Sequence, residues 1–283
     1  MKLVTWEHAD TPRPGALVEG GVVDLSPVAP SVEALIDAGP VAWSRAADAA
    51  SGVADVPDPR LLAPLRPASM RDFLAFEDHA KAGAARRGEQ LNPAWYRTPV
   101  YYKGNHRSIA GPGEDVAWPT WSERLDFEME LACVIGARSR DLDAASAERA
   151  IFGYTIMNDW SARDVQRDEM AMRLGPAKSK DFSTSLGPCI VTADEIDPRD
   201  GLTMTARVNG EVWATANSAA MHWTFPQMIA HVSAGEDVWP CDVYGSGTAF
   251  GGCGLDQDRW IRPGDIVELE VERIGVLKNR VVR

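Results

Sequence analysis

Two glutamates one residue apart open the chemical reading. In Leu125-Asp126-Phe127-Glu128-Met129-Glu130-Leu131-Ala132, the period of two of a strand puts Glu128 and Glu130 on one face and Phe127, Met129 and Leu131 on the other. Like charges this close repel, and a cation between them stabilises the arrangement. An oxygen-only ligand set suits Mg²⁺ or Ca²⁺. A solvated strand face would carry the same alternation.

A second constellation is Asn158-Asp159-Trp160-Ser161-Ala162-Arg163-Asp164-Val165-Gln166. It reads as a helix start capped by Asn158 or Asp159, with Asp159, Arg163 and Gln166 at i, i+4 and i+7 on one face. Such a face can hold a metal and an oxygen-rich substrate together; an exposed Asp–Arg pair is also ordinary helix-surface chemistry. Asp72 and His79 lie seven apart, again on one predicted helical face, where the His could serve as a general base near neutral pH. His8, His106, His222 and His231 have no carboxylate at telling spacing. Lys178-Ser179-Lys180-Asp181-Phe182 is a cationic stretch before a strand, and Gly245-Ser246-Gly247-Thr248 is a glycine-rich turn ending in a hydroxyl. The turn lacks the lysine of a phosphate-binding loop.

The elements that must position these groups are mostly short strands. Leu125 to Gly136, Leu186 to Thr192, a hairpin from Thr203 to Trp213 turning at Asn209-Gly210, and Asp265 to Ile274 all carry strand patterns. Helices are expected over roughly Met70 to Ala85, Ala144 to Ile151, Asp159 to Met172 and Phe225 to Ser233. Residues 1–66 read as a small, strand-containing accessory domain, ending in a proline-rich stretch from Pro57 to Pro67, and 67–283 as the catalytic domain. There is no strand–helix alternation of a doubly wound fold, so the class is α+β and β-rich.

Composition narrows the partners. The chain has 29 Lys and Arg against 41 Asp and Glu, a net charge of −12, without any basic run. That makes nucleic acid and anionic membrane poor partners and leaves a small molecule, whose charge a few local cations or a bound metal can match. No signal-peptide-like start or membrane-length apolar run is present, so a cytoplasmic protein is expected. Cys133, Cys189, Cys241 and Cys253 form no paired motif and read as reduced, mostly buried thiols.

Taken in order, Asp72 to His79, Asp126 to Leu131, Gly153 to Gln166, Lys178 to Pro188 and Gly245 to Thr248 resemble the fumarylacetoacetate hydrolase family over roughly residues 68 to 270. The resemblance implies a mixed β-sandwich roll around a divalent metal, Mg²⁺ foremost with Ca²⁺ or Mn²⁺ as alternatives. Asp72, Glu128, Glu130 and Asp159 would be its ligands. Tyr102, Arg163, Gln166 and Thr248 match positions that hold substrate oxygens, His79 matches the water-activating base, and Lys180, with Lys178 as fallback, matches the active-site lysine. The implied chemistry is cleavage of a carbon–carbon bond in a β-diketone or acylpyruvate-type 2-oxo acid. An isomerase or decarboxylase acting on a 2-hydroxy-dienoic or 2-oxo diacid in aromatic catabolism is the other activity the family offers. Relatives being commonly dimers, a homodimer is expected. Leu74 replaces a substrate-touching tyrosine of the enzyme that gives the family its name, and the glutamate that partners the base there has no match after Gly251-Gly252-Cys253-Gly254.

Overall fold

A computed structural model describes residues 1–283. The centre is an eleven-stranded mixed sheet. Its inner strands, Met129–Ile135, Ile151–Asp159 and Thr184–Thr192, are antiparallel neighbours, and the first two are buried along their whole length. Mostly apolar runs, broken by Glu130, Thr155, Asn158 and Asp159, suit strands covered on both faces.

The two covers are separate. Met129, Leu131, Cys133 and Ile135 point into one core, together with Met204, Ala206, Leu269 and Leu277 of a second, five-stranded sheet. Ala132 and Val134 point the other way, into a smaller core built with Leu35 and Ile36 of the helix Val32–Asp37. The N-terminal strands Lys2–His8, Thr11–Val18 and Gly21–Asp24 join the large sheet, because Lys2–His8 pairs with Thr184–Thr192.

Several expected elements take the positions read from sequence. The hairpin Thr203–Val208 to Glu211–Asn217 turns at Asn209-Gly210, both residues having φ > 0 as a tight primed turn needs. The helix Phe225–Ser233 begins at Thr224 with a capping box closed by Gln227.

Three expectations fail, all for one reason. The helix expected over Met70 to Ala85 is the strand Ser69–Phe73 followed by the helix Glu77–Arg86, so Asp72 and His79 do not share a helical face. The helix expected from Asp159 is the end of Ile151–Asp159, and the helix itself spans Arg163–Ala171 with Ala162 at its cap position. The helix read from Ala144 to Ile151 ends at Glu148, because Ile151 already belongs to a central strand. In each case ladder pairing to a sequence-distant strand overrides local propensity. Ser69–Phe73 lies parallel to Asp242–Gly245, and Ile151–Asp159 lies between two central neighbours. All four cysteines are free and buried.

Candidate functional site

Three strands, and the residue just ahead of one of them, deliver the four predicted carboxylates to one place. Glu130 stands opposite Met157 across one ladder, Asp72 opposite Gly245 and Tyr102 across two others, and Asp159 closes its strand. Met70, Ala132 and Met157 face the smaller core. Strand alternation therefore aims Asp72, Glu128, Glu130 and Asp159 out of that same face of the sheet. One coordinating oxygen from each lies within 4.8 Å of the others, and all four residues are buried. The alternation inferred for Glu128 and Glu130 holds, but their face is no solvated surface.

Such a cluster is electrostatically unfinished. Four carboxylates meet two cations: Lys180 Nζ reaches Glu128 at 2.7 Å and Asp159 at 2.5 Å, and Arg163 Nη2 lies 2.8 Å from Glu128 Oε1. Arg163 is shared with a fifth buried carboxylate, since its Nε donates to Asp126 at 2.8 Å. Glu130 Oε1 and Asp159 Oδ1 are buried with no hydrogen-bond partner. Burial, then the charge of Asp159, pushes the Asp72 carboxyl well above its usual range. Burial, then Asp72 and Glu128, does the same to Glu130. Burial opposes ionisation of Glu128 too, but Lys180 and Arg163 outweigh it and hold that carboxyl at about 2. Orphaned oxygens and an all-carboxylate donor set fit a hard divalent cation.

Glycines make the room. A Cβ on Gly245 would sit 2.6 Å from Asp72 Oδ1 and 2.8 Å from Glu130 Oε2. Gly247, at φ +75°, gives its backbone N–H to the same two oxygens at 3.1 and 3.2 Å. Gly245→Ala is expected to weaken Mg²⁺ binding at least about tenfold, roughly 1.4 kcal/mol, because two ligand carboxylates must move together. Calorimetric titration measures this, and wild-type affinity in the variant would contradict the packing argument.

Proton and metal should compete here. A raised carboxyl pKa in the fold means stability that is present below the unfolded carboxylate range and is lost as pH rises through the folded value. Metal-free protein therefore carries an increasing charge penalty at Asp72 and Glu130 as pH rises, which Mg²⁺ relieves. The gain in Tm on adding Mg²⁺ is expected to widen from about pH 5 to about pH 8. Thermal scans in chelator and in Mg²⁺ test this; a gain that narrows with rising pH would contradict it.

The structure gathers the other predicted residues around the cluster. Tyr102 donates its hydroxyl to Asp159 Oδ2 at 2.7 Å. Lys180 is buried among the carboxylates, whereas Lys178 lies over the Trp121 ring at 5.6 Å. Arg163 and Gln166 are three apart on one helix and bonded to each other, Nη1 to Oε1, at 2.9 Å. Asp159 reaches them from a strand end, so the i, i+4, i+7 face read from sequence is replaced by a strand-to-helix junction. Arg163 Nη2 is angled so that, despite the nearby Glu128, it makes no hydrogen bond. Thr248 is buried in the loop after Asp242–Gly245, its hydroxyl 3.3 Å from the Met129 carbonyl oxygen.

His79 sits in the first turns of Glu77–Arg86, near enough to Glu128 that a positive charge on its ring would hold that carboxyl down. Its Nδ1 lies 2.8 Å from Asp256 Oδ2. Asp256 is in turn held by Arg86 at 3.0 Å and by the Gly251 backbone N–H at 2.9 Å. Against burial, these bonds keep its carboxyl below the usual range. An ionised Asp256 only accepts, so the ring proton belongs on Nδ1 and Nε2 carries the free lone pair. The sequence reading had found no partner for His79. Asp256 was missed because it lies 177 residues away and is shorter than the glutamate sought. The available signal was a carboxylate following the glycine turn Gly251-Gly252. Asp256→Asn replaces that anionic acceptor with an amide whose NH2 can donate to Nδ1 and favour the wrong tautomer, so kcat is expected to fall at least about tenfold. An unchanged kcat in steady-state assays would make the pair incidental.

Comparison with known proteins agrees with this geometry. The family model described as fumarylacetoacetate (FAA) hydrolase C-terminal matches residues 69–282. The chain is 30% identical to a protein of Rattus norvegicus described as oxaloacetate tautomerase Fahd2a, mitochondrial, over all of this chain and 92% of that one. It spans 56–60% of the length of several other curated relatives. A solved structure of fumarylacetoacetate hydrolase from psychrophilic Exiguobacterium antarcticum superposes with a TM-score of 0.81 at 27% identity, covering 100% of this chain and 99% of that one. One described as 5-carboxymethyl-2-hydroxymuconate delta-isomerase from Mycobacterium smegmatis superposes with a TM-score of 0.76 at 28% identity, covering both chains fully. With its strand-rich α+β fold, its buried carboxylate cluster and a matching stretch that holds every residue of the site, the chain belongs to the fumarylacetoacetate hydrolase family.

Proposed function

We propose that this protein is a Mg²⁺-dependent hydrolase that cleaves a carbon–carbon bond in an acylpyruvate-type 2-oxo acid. The observation that carries the reading is the His79–Asp256 pair beside the carboxylate cluster. A residue able to activate water is needed for hydrolysis and idle in isomerisation.

Asp72, Glu128, Glu130 and Asp159 would hold Mg²⁺, with Ca²⁺ or Mn²⁺ as alternative hard cations, which when bound supplies Lewis-acid polarisation of the substrate's carbonyl oxygens. The chain's own groups do the rest. His79 Nε2, freed by the Asp256 bond to Nδ1, takes a proton from water. The hydroxide adds to the acyl carbonyl carbon, the carbon–carbon bond breaks, and its electron pair is received as the enolate of pyruvate. Protonation of the enolate carbon, with the water proton passing from His79 to it or to solvent, completes the second acid. Burial works against a charged Lys180, but Asp159 and Glu128 outweigh it and raise its pKa, so the ammonium stays available to negative oxygen. Arg163 Nη2 has a buried N–H to spare for a substrate carboxylate or carbonyl oxygen. Gln166 and Tyr102 fix the orientation of Arg163 and Asp159.

The second reading is an isomerase, decarboxylase or tautomerase on a related 2-oxo acid. It is favoured by the full-length similarity to a tautomerase, because enolate formation uses Lys180 and Arg163 and needs no water. Loss of ultraviolet absorbance from a panel of acylpyruvates, with and without Mg²⁺ and followed by product analysis, separates the two. Two acids are expected; a single isomeric product would favour the second reading.

A further inference from the structure

Beside the oxygen cluster lies a chemically different one. His79, Cys253 and Asp256 bring a nitrogen, a sulfur and an oxygen within 4.8 Å of one another. We propose that these three residues form a second metal site, selective for Zn²⁺, whose occupation silences the enzyme by capturing His79. This rests on the reading of His79 as the base.

The two clusters sort by ligand softness. Four carboxylates suit a hard ion, whereas imidazole and thiolate with one carboxylate suit tetrahedral zinc, leaving a fourth position for water. Cys253 is fully buried, and while Cys189 and Cys241 each face a carbonyl oxygen, its thiol has no such acceptor. Asp256 is pre-aimed, because Arg86 and the Gly251 N–H hold its carboxylate with Oδ2 toward His79. His79 is the entry: its side chain keeps 13% of its exposure while that of Asp256 has none. Nδ1 and Oδ2 are 2.8 Å apart, and zinc between them needs about 3.3 Å, so the pair opens by about half an ångström. The sites are physically joined, since Cys253 bridges Glu128 through the backbone.

Silencing follows from the ring's two nitrogens. Zinc on Nδ1 displaces the proton that Asp256 holds there, and the neutral ring then carries its proton on Nε2, the atom that must accept one from water. The Cys253 thiol gives up its proton to solvent, and thiolate, carboxylate and Zn²⁺ balance in charge. Turnover would then fall toward the roughly 10²–10⁴-fold loss that removing a general base causes.

The test uses the full chain, stripped with chelator and then saturated with Mg²⁺ so that the oxygen cluster is filled. Titration with Co²⁺ in place of Zn²⁺ is expected to produce a thiolate-to-cobalt charge-transfer band, lost in both Cys253→Ser and Cys253→Ala; retained Mg²⁺ affinity certifies that the variants fold. No such band in the native protein, or one that persists in both variants, overturns the site. In parallel, Zn²⁺ is expected to inhibit the native protein and to spare turnover by Cys253→Ser. A cysteine-dependent band without inhibition would overturn the silencing and leave the metal site; the base role of His79 is read separately, from kcat of His79→Ala in zinc-free Mg²⁺.

Discussion

Asp159→Ala, Glu128→Ala and Glu130→Ala should each lose most Mg²⁺ affinity and nearly all activity. Each deletes an anionic oxygen from the proposed hard-cation site, and the remaining carboxylates would be too few to replace the ion's water. Without metal the variants should differ in stability. Glu130→Ala removes a buried carboxyl whose ionisation the fold opposes, so without metal it is expected to be no less stable than the parent at neutral pH. Asp159→Ala instead strands the Lys180 ammonium with Glu128 alone, and should destabilise by about 3–5 kcal/mol. Calorimetry with Mg²⁺ and chemical denaturation in chelator read the two quantities separately. Unchanged metal affinity in all three variants would refute the site.

His79→Ala is the second large effect. A base that acts on water and binds no Mg²⁺ should, when removed, lower kcat by roughly 10²–10⁴-fold while Mg²⁺ affinity stays intact. Binding and chemistry would come apart in one variant. Lys180 and Arg163 remain in place, so enolisation of the bound substrate should persist, and deuterium exchange at its central carbon reports this directly. Hydrolysis at the parent rate would make His79 structural and move the tautomerase reading ahead.

What the sequence disclosed was chemistry before geometry. Glu128 and Glu130 were legible because strand alternation is local, and it placed both on the correct side of Met129. Asp72 and Asp159 were expected as ligands from family resemblance but placed on helices. Ala-rich sequence after Asp72 and the cap-like Asn158-Asp159 pair are sound local signals, and both lost to ladders formed with strands that local reading cannot see. Lys180 was preferred over Lys178 on motif register alone. The fold separates them physically, one in the cluster and one on an indole. Asp256 stayed hidden because its partner is 177 residues away and only the folded chain shows which carboxylate meets His79.

The central claim is that water, activated at His79 beside a carboxylate-held cation, cleaves the substrate. Turnover of an acylpyruvate with Mg²⁺ in heavy-oxygen water, with mass analysis of the released acid, tests it most directly. The account predicts that one solvent oxygen enters the carboxylate of that acid, and that the label disappears when chelator replaces Mg²⁺. Intact substrate that returns only tautomerised or isomerised, with no labelled acid formed, would contradict it.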